Sequence, residues 1–196
     1  MGSARQSHER DLGEILNMLI HSARHITYLG RNLRINFPSE FQDDSAILVL
    51  SKCMEPPFSV KEKTRITTEE IAKVSGLRKY LKFSDKTSVK VGSFEMKIAD
   101  ITPDRSKFNF LINNEVCFLT YIPDTAIPFW EDITLLIQAD PGYFNEDDFK
   151  KIESYIAETK PKKTIISGCY AEKWSSASKI GKNIEIRNEM SQQTIF

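Results

Sequence analysis

Histidine is nearly missing from this chain. The three that occur among 196 residues, His8, His21 and His25, all fall within the first 25 positions. The long body that follows has no imidazole to act as general base or metal ligand, which argues against Ser-His or Cys-His catalysis and against a histidine-built zinc centre there. Net charge is missing as well. Lysine plus arginine and aspartate plus glutamate number 27 each, so no global field attracts nucleic acid or an anionic membrane surface. Cys53, Cys117 and Cys169 are odd in number and far apart, which suits buried free thiols in a reducing compartment better than disulfides or a zinc finger. No apolar run approaches the ~20 residues of a membrane span, and no export signal is recognisable. An intracellular protein, cytoplasmic or nuclear, with no membrane partner is expected. Glycines 76, 92, 142, 168 and 181 stand alone, so no phosphate-cradling loop is present.

What is present is ordinary for a folded domain: 40% hydrophobic and 28% charged residues, on a chain long enough to bury a two- or three-layer core. Near the start, Leu12, Ile15, Leu16, Leu19 and Ile20 recur at helical spacing, and predict an amphipathic helix around Asp11–Ser22. Five large aliphatic side chains in one stripe call for cover, by the domain itself or by a partner. Ile26–Phe37 then reads as two short strands broken at Gly30-Arg31-Asn32.

The run Ala46–Leu50 is apolar without alternation, as in a strand covered on both faces. It leads into Ser51-Lys52-Cys53-Met54-Glu55-Pro56-Pro57, a loop leaving a strand end. A helix is predicted over 68–82, with Thr67 or Thr68 as N-cap, Glu69 and Glu70 at its positive pole, and Leu77 and Leu81 on its apolar face. Strands follow from Thr87 onward, with a hairpin turn at Asn113-Asn114. The run ending at Asp140 is another buried strand, Asn145 caps a helix over 145–159, and Lys160-Pro161 stops it before a strand at 163–167.

In this order the segments resemble the metallo-β-lactamase superfamily. The loop after Ala46–Leu50 matches the family's T-H-x-H-x-D-H loop in position and length, with Lys52, Met54 and Pro57 where histidines stand and Pro56 where the aspartate stands. Ile101-Thr102-Pro103-Asp104 resembles the stretch carrying a further histidine and contains none. Asp124-Thr125 resembles the bridging aspartate's motif, with Pro123 where glycine is usual, and Ser167-Gly168 fills the place of the last serine or threonine and histidine. The resemblance implies an α/β (α+β type) fold, an αββα sandwich, here with an added N-terminal amphipathic helix. It divides the chain into a helical extension, 1–23, and a metallo-β-lactamase-like domain, 24–196.

A hydrolytic zinc site needs three or so imidazole or carboxylate ligands and an open position, and one aspartate does not supply that. The resemblance therefore implies a pseudoenzyme without zinc or other cofactor, whose relic-site cleft gathers Lys52, Met54, Asp104, Asp124 and Gly168. Lys52 could pair with Asp124 or attract a small anion. Cys53 lies beside Lys52 but has no histidine placed to activate it. The expected role is protein binding or support within a macromolecular complex, with Leu12, Ile15, Leu16, Leu19 and Ile20 meeting another protein or a second copy. Nucleic acid is a weaker partner on this charge balance. The alternative is a hydrolase or nuclease-like enzyme using carboxylates such as Asp100, Asp104, Asp124 and Asp140 for a hard cation.

Overall fold

The computed structural model describes residues 18–22, 25–28, 33–36, 47–53, 64–92, 94–124, 132–139, 143–144, 146–168, 171 and 183–187. In chain order the strands are β1 (Met18–Ser22), β2 (His25–Tyr28), β3 (Leu33–Ile35), β4 (Ile47–Val49), β5 (Thr64–Thr67), β6 (Leu81–Lys82), β7 (Val89–Val91), β8 (Phe94–Ile101), β9 (Phe108–Ile112), β10 (Val116–Leu119), β11 (Thr134–Gln138), β12 (Lys163–Ser167) and β13 (Ile184–Arg187). Helix α1 (Glu69–Val74) follows β5, and α2 (Phe149–Thr159) precedes β12 after a 3-10 turn at Glu146–Asp148.

Two sheets share one core. The smaller is parallel, in the order β3-β4-β5-β6. The larger has seven strands in the order β13-β12-β11-β10-β9-β8-β7, antiparallel from β7 to β10 and parallel from β10 to β13. Leu33, Ile47, Leu48 and Ile66 of one sheet and Phe94, Phe108, Phe110 and Phe118 of the other belong to the same buried cluster. A ladder of ring contacts runs through it from Phe83 to Phe108, Phe110, Phe118 and Tyr143, with centroids 5.4 to 6.0 Å apart, within the range of favourable aromatic packing. The absence of alternation in β4 and β10 is explained directly, since every residue of both strands is buried. Ile152, Tyr155 and Ile156 of helix α2 join the same buried cluster.

Local chemistry sets the turns. Asn113 and Asn114 both adopt positive φ, 52° and 55°, as the central residues of a primed turn require, the Glu115 amide donating to the Ile112 carbonyl at 3.0 Å, and β9 and β10 pair across the turn with Ile112 opposite Val116. Thr68, not Thr67, caps α1, its hydroxyl accepting from the Ile71 amide at 3.3 Å. Thr67 is spent elsewhere, donating to the Leu50 carbonyl at 2.7 Å.

Two predicted helices differ. The one expected over 68–82 ends at Val74, because Gly76 turns left-handed (φ 69°) and the amides of Gly76 and Leu77 return to the carbonyls of Lys73 and Ala72. That is a Schellman closure, and it places Leu81 in β6, where it is exposed. At the N-terminus, Met18–Ser22 is a strand paired antiparallel with His25–Tyr28, so the last turn predicted for the amphipathic helix is instead β1. The backbone hydrogen bonds to β2 replace the helical ones there, and the spacing of 3.6 that grouped Leu19 and Ile20 with Leu12, Ile15 and Leu16 does not apply in a strand. Asp11–Asn17 lie outside the described residues, as does Asn145. This hairpin also spans the proposed boundary between residues 23 and 24.

Gly76 has open space where a Cβ would stand, so Gly76→Ala carries backbone strain without a clash. A loss of about 1 kcal/mol in urea denaturation is expected, with the fold unchanged by dichroism.

Candidate functional site

The register of the larger sheet brings several chemistry-bearing segments to one edge. β10, β11 and β12 are parallel, so their carboxyl ends at Leu119, Gln138 and Ser167 lie together, and the turn between β8 and β9 meets the same edge because Ile101 pairs with Phe108 beside the end of β10. Carboxyl ends of parallel strands are where α/β folds gather ligands. The smaller sheet reaches this edge through the residues that follow β4.

A buried chain of hydrogen bonds fixes that junction. Asn36, fully buried and left-handed (φ 62°), donates from Nδ2 to Ser51 Oγ at 2.8 Å, while its Oδ1 accepts from the amides of Ser51 (2.7 Å) and Lys52 (3.3 Å). Ser51 Oγ then meets Thr120 Oγ1 of the other sheet at 2.7 Å. Asn109 Oδ1 accepts from the amides of Thr120 (2.7 Å) and Tyr121 (3.2 Å). Lys52 bridges Lys107 antiparallel, with the Cys53 amide donating to Ser106, and its ammonium rests 3.9 Å from the centroid of the Tyr143 ring, a cation-π distance.

Of the cleft residues predicted from sequence, Lys52, Asp104, Asp124 and Gly168 each belong to segments at this edge, and Met54 lies outside the described residues. Asp104 occupies the β8–β9 turn, taking the amide of Ser106 at 3.0 Å and its hydroxyl at 2.8 Å. Asp124 is exposed and follows β10 at the cleft rim. Gly168 ends β12 with φ 116° and its carbonyl accepts from Ala171. Of the stripe proposed for partner binding, Leu12, Ile15 and Leu16 lie outside the described residues, and Leu19 and Ile20 belong to β1.

Beside Tyr143 opens a cleft of about 690 Å³ between α2 and the segment Tyr121–Asp124. Tyr121, Tyr143 and Tyr155 line it together with Lys107, Lys150 and Lys151, and Asp124, Asp148 and Glu158 also face it. Tyr121 is the residue next to Thr120, and it donates to Asp100 at 2.5 Å. Burial, then this bond and the charge of Asp100, push its hydroxyl far above the ordinary tyrosine range, so it stays protonated and donates. Sequence reasoning missed Tyr121, Tyr143, Lys107 and the α2 lysines. The only sequence signal was the position of Tyr121 at the end of a buried run; the others meet only through sheet register and helix placement.

The two described thiols, Cys53 and Cys117, are quiet. Burial and then the charge of Asp104 raise Cys53, and complete burial raises Cys117, so neither has thiolate character. Among the described residues no group of three or more His, Cys, Asp or Glu side chains is placed to hold a metal ion, and the described groups at this edge, a lysine, a turn-bound aspartate and a tyrosine-bound aspartate, do not fit the zinc centre of the resembled family.

Similarity in three dimensions defines the class. The chain has the metallo-β-lactamase fold: it superposes on the metallo-β-lactamase fold protein YhfI from Bacillus subtilis with a TM-score of 0.58 at 11% identity, over 88% of this chain and 89% of that one. It is similar also to CmlA, a diiron β-hydroxylase from Streptomyces venezuelae, with a TM-score of 0.50 at 10% identity, over 88% of this chain and 48% of the larger enzyme. A mutant of the CmlA β-hydroxylase gives 0.51 at 11% identity, over 76% of this chain and 45% of that one. No family profile matches the sequence, and no curated protein matches it by sequence.

Asn36→Ala is expected to lower stability by about 2–4 kcal/mol, since it strands a buried serine and two amides and leaves alanine in a left-handed conformation; urea denaturation measures it. Asp104 titrates at about 2, held down by the hydroxyl of Thr102 and then by the amide and hydroxyl of Ser106. Its folded value lies below the ordinary 3.8, so its contribution is complete above that pH and is lost as pH falls towards 2. Asp104→Asn should flatten the stability profile in that window and lower stability by a constant amount above it, where the contribution of the ionised carboxylate is complete.

Proposed function

We propose that this chain is a catalytically inactive metallo-β-lactamase-like domain that works by binding, as a protein-binding or structural module of an intracellular macromolecular complex. The observation that carries the reading is Lys52. It stands in the loop position where the resembled family has a metal-binding histidine, and its ammonium is seated on the Tyr143 ring at the cleft. A divalent ion about 4 Å from an ammonium meets a repulsion of about 8 kcal/mol at an effective dielectric of ~20, so the cation built into the chain opposes the cation the family would recruit. The nearby carboxylates are committed as well, Asp100 to Tyr121 and Asp104 to its own turn, which disfavours a rearranged carboxylate centre for hydrolysis.

The partner in this proposal is another protein or a second copy of the chain, met through the N-terminal segment that ends in β1. Leu12, Ile15, Leu16, Leu19 and Ile20 are its contacts, because aliphatic side chains of that size are each worth roughly 1.5–3 kcal/mol when covered.

Protein purified without chelators is expected to carry substoichiometric zinc, manganese and iron by elemental analysis. A full equivalent of any of them would overturn the inactive reading. Separately, Leu16→Asp combined with Leu19→Asp should abolish complex formation in size-exclusion chromatography while the far-ultraviolet dichroism of the body is retained. Unfolding of the whole domain by the pair would assign the stripe to the core and end the interface proposal.

A further inference from the structure

The neutral total of the chain conceals an uneven distribution. Between Ile71 and Gly92 six basic residues, Lys73, Arg78, Lys79, Lys82, Lys86 and Lys90, stand against a single acidic one, Asp85, and all six are exposed. Lys82 is held by Glu69. The other five make no ion pair among the described residues. The carboxylates flanking them are engaged from outside the stretch, because Arg105 of the β8–β9 turn takes Glu70 at 2.8 Å and Asp85 at 3.9 Å. Five unmatched cations on one short stretch give a local positive field that reaches about 8–10 Å at ordinary ionic strength.

The same stretch carries exposed aliphatic side chains. Among the described residues the large hydrophobics left to solvent are Val74 (58%) and Leu81 (46%). Leu81 is exposed because the closure after α1 turns the chain into β6, and β6 ends the order of the smaller sheet as β7 ends that of the larger. The turn from Phe83 to Ser88 joins these two outer strands, held by the buried Phe83 ring and the Ser84–Thr87 bridge. The Lys82–Glu69 pair ties α1 to β6. Both outer strands therefore border one side of the sandwich, and the cations and aliphatics belong to that side.

These features select the partner. A second copy related by two-fold symmetry would bring the same cations face to face, and lysines on outer strands oppose such self-pairing. Single-stranded nucleic acid is held by basic side chains together with aromatic faces on which bases stack. Here the aromatic residues, Tyr80 and Phe83, are half-buried and buried, and aliphatic side chains are exposed instead. A protein segment in which carboxylates alternate with aliphatic side chains matches both features, and the outer strand of a sheet is where an extended segment adds.

We infer that the side of the sandwich formed by α1, β6 and β7 binds an extended, acidic and aliphatic segment of another protein, its carboxylates among the five unmatched cations and its aliphatic side chains against Val74 and Leu81. The inference deepens the proposed function: it rests on the chain being a binding module and adds a surface on the body, apart from the N-terminal segment.

Fluorescence anisotropy of the full chain with short, capped and labelled peptides tests it. A peptide alternating glutamate with valine should bind about tenfold tighter than one alternating lysine with valine or glutamate with serine, and more weakly as salt rises. Lys79→Gln, Lys86→Gln and Lys90→Gln combined should weaken that binding about tenfold, with dichroism unchanged because all three residues are exposed. Lys162→Gln, exposed between α2 and β12, should change nothing. Hydrogen exchange should slow on peptide binding within residues 71–92. The inference is overturned if the glutamate-valine peptide fails to bind at millimolar concentration, if the glutamate-serine peptide binds equally well, if the triple variant binds as the parent does, or if protection appears only elsewhere. A single-stranded oligonucleotide that binds tighter than the peptide and is lost in the triple variant would assign this side to nucleic acid and overturn it too. Metal content of the same preparation separates the two readings. A full equivalent of metal with peptide binding intact would overturn the inactive reading alone, and a metal-free chain that does not bind the peptide would overturn this inference alone.

Discussion

The hydroxyl-to-hydroxyl contact between Ser51 and Thr120 joins the two sheets at the edge where the cleft lies. Both residues are fully buried, so neither can turn to water for a partner, and each side is held by an asparagine: Asn36 behind Ser51 and Asn109 around Thr120. Buried polar groups are tolerated when every member of the network is engaged. Everything at the cleft depends on that engagement. Lys52 follows Ser51 and Tyr121 follows Thr120, so the same bonds that satisfy the core determine where the lysine ammonium and the tyrosine hydroxyl emerge.

At this edge the charged and polar groups hold one another. A lysine covers an aromatic face, a tyrosine is bonded to Asp100, and Asp104 closes a turn. The likeness to YhfI and CmlA extends to backbone architecture at 10 to 11% identity, and at that distance a shared fold carries no activity with it.

Much of the fold was legible because it follows from local periodicity and turn chemistry. Unbroken apolar runs gave strands β4, β10, β11 and β12, and the Asn113-Asn114 pair gave a hairpin whose two left-handed residues need no compensation. Two helix boundaries were not legible. The apolar spacing of Leu77 and Leu81 continues the pattern of α1, yet the left-handed closure at Gly76 ends it, and Met18–Ser22 has helical spacing but pairs with the strand after it. In both places a hydrogen-bonded alternative several residues away outweighed a periodicity read within the segment.

The sequence by itself determined the absence of histidine after residue 25, the lysine in the loop after β4, and the order of strands and helices that makes the metallo-β-lactamase likeness recognisable. These are properties of composition and of short segments, which no packing can change. Tertiary structure alone decided that Lys107 stands opposite Lys52, that Tyr143 lies beneath its ammonium, and that Tyr121, Tyr155 and Lys150 share one cleft. Apart from Lys150 and Tyr155 on the same helix, those neighbours are separated by tens of residues. Their meeting is set by the register of parallel strands and by the seat of α2 on the sheet, neither of which leaves a mark within any one segment of the chain.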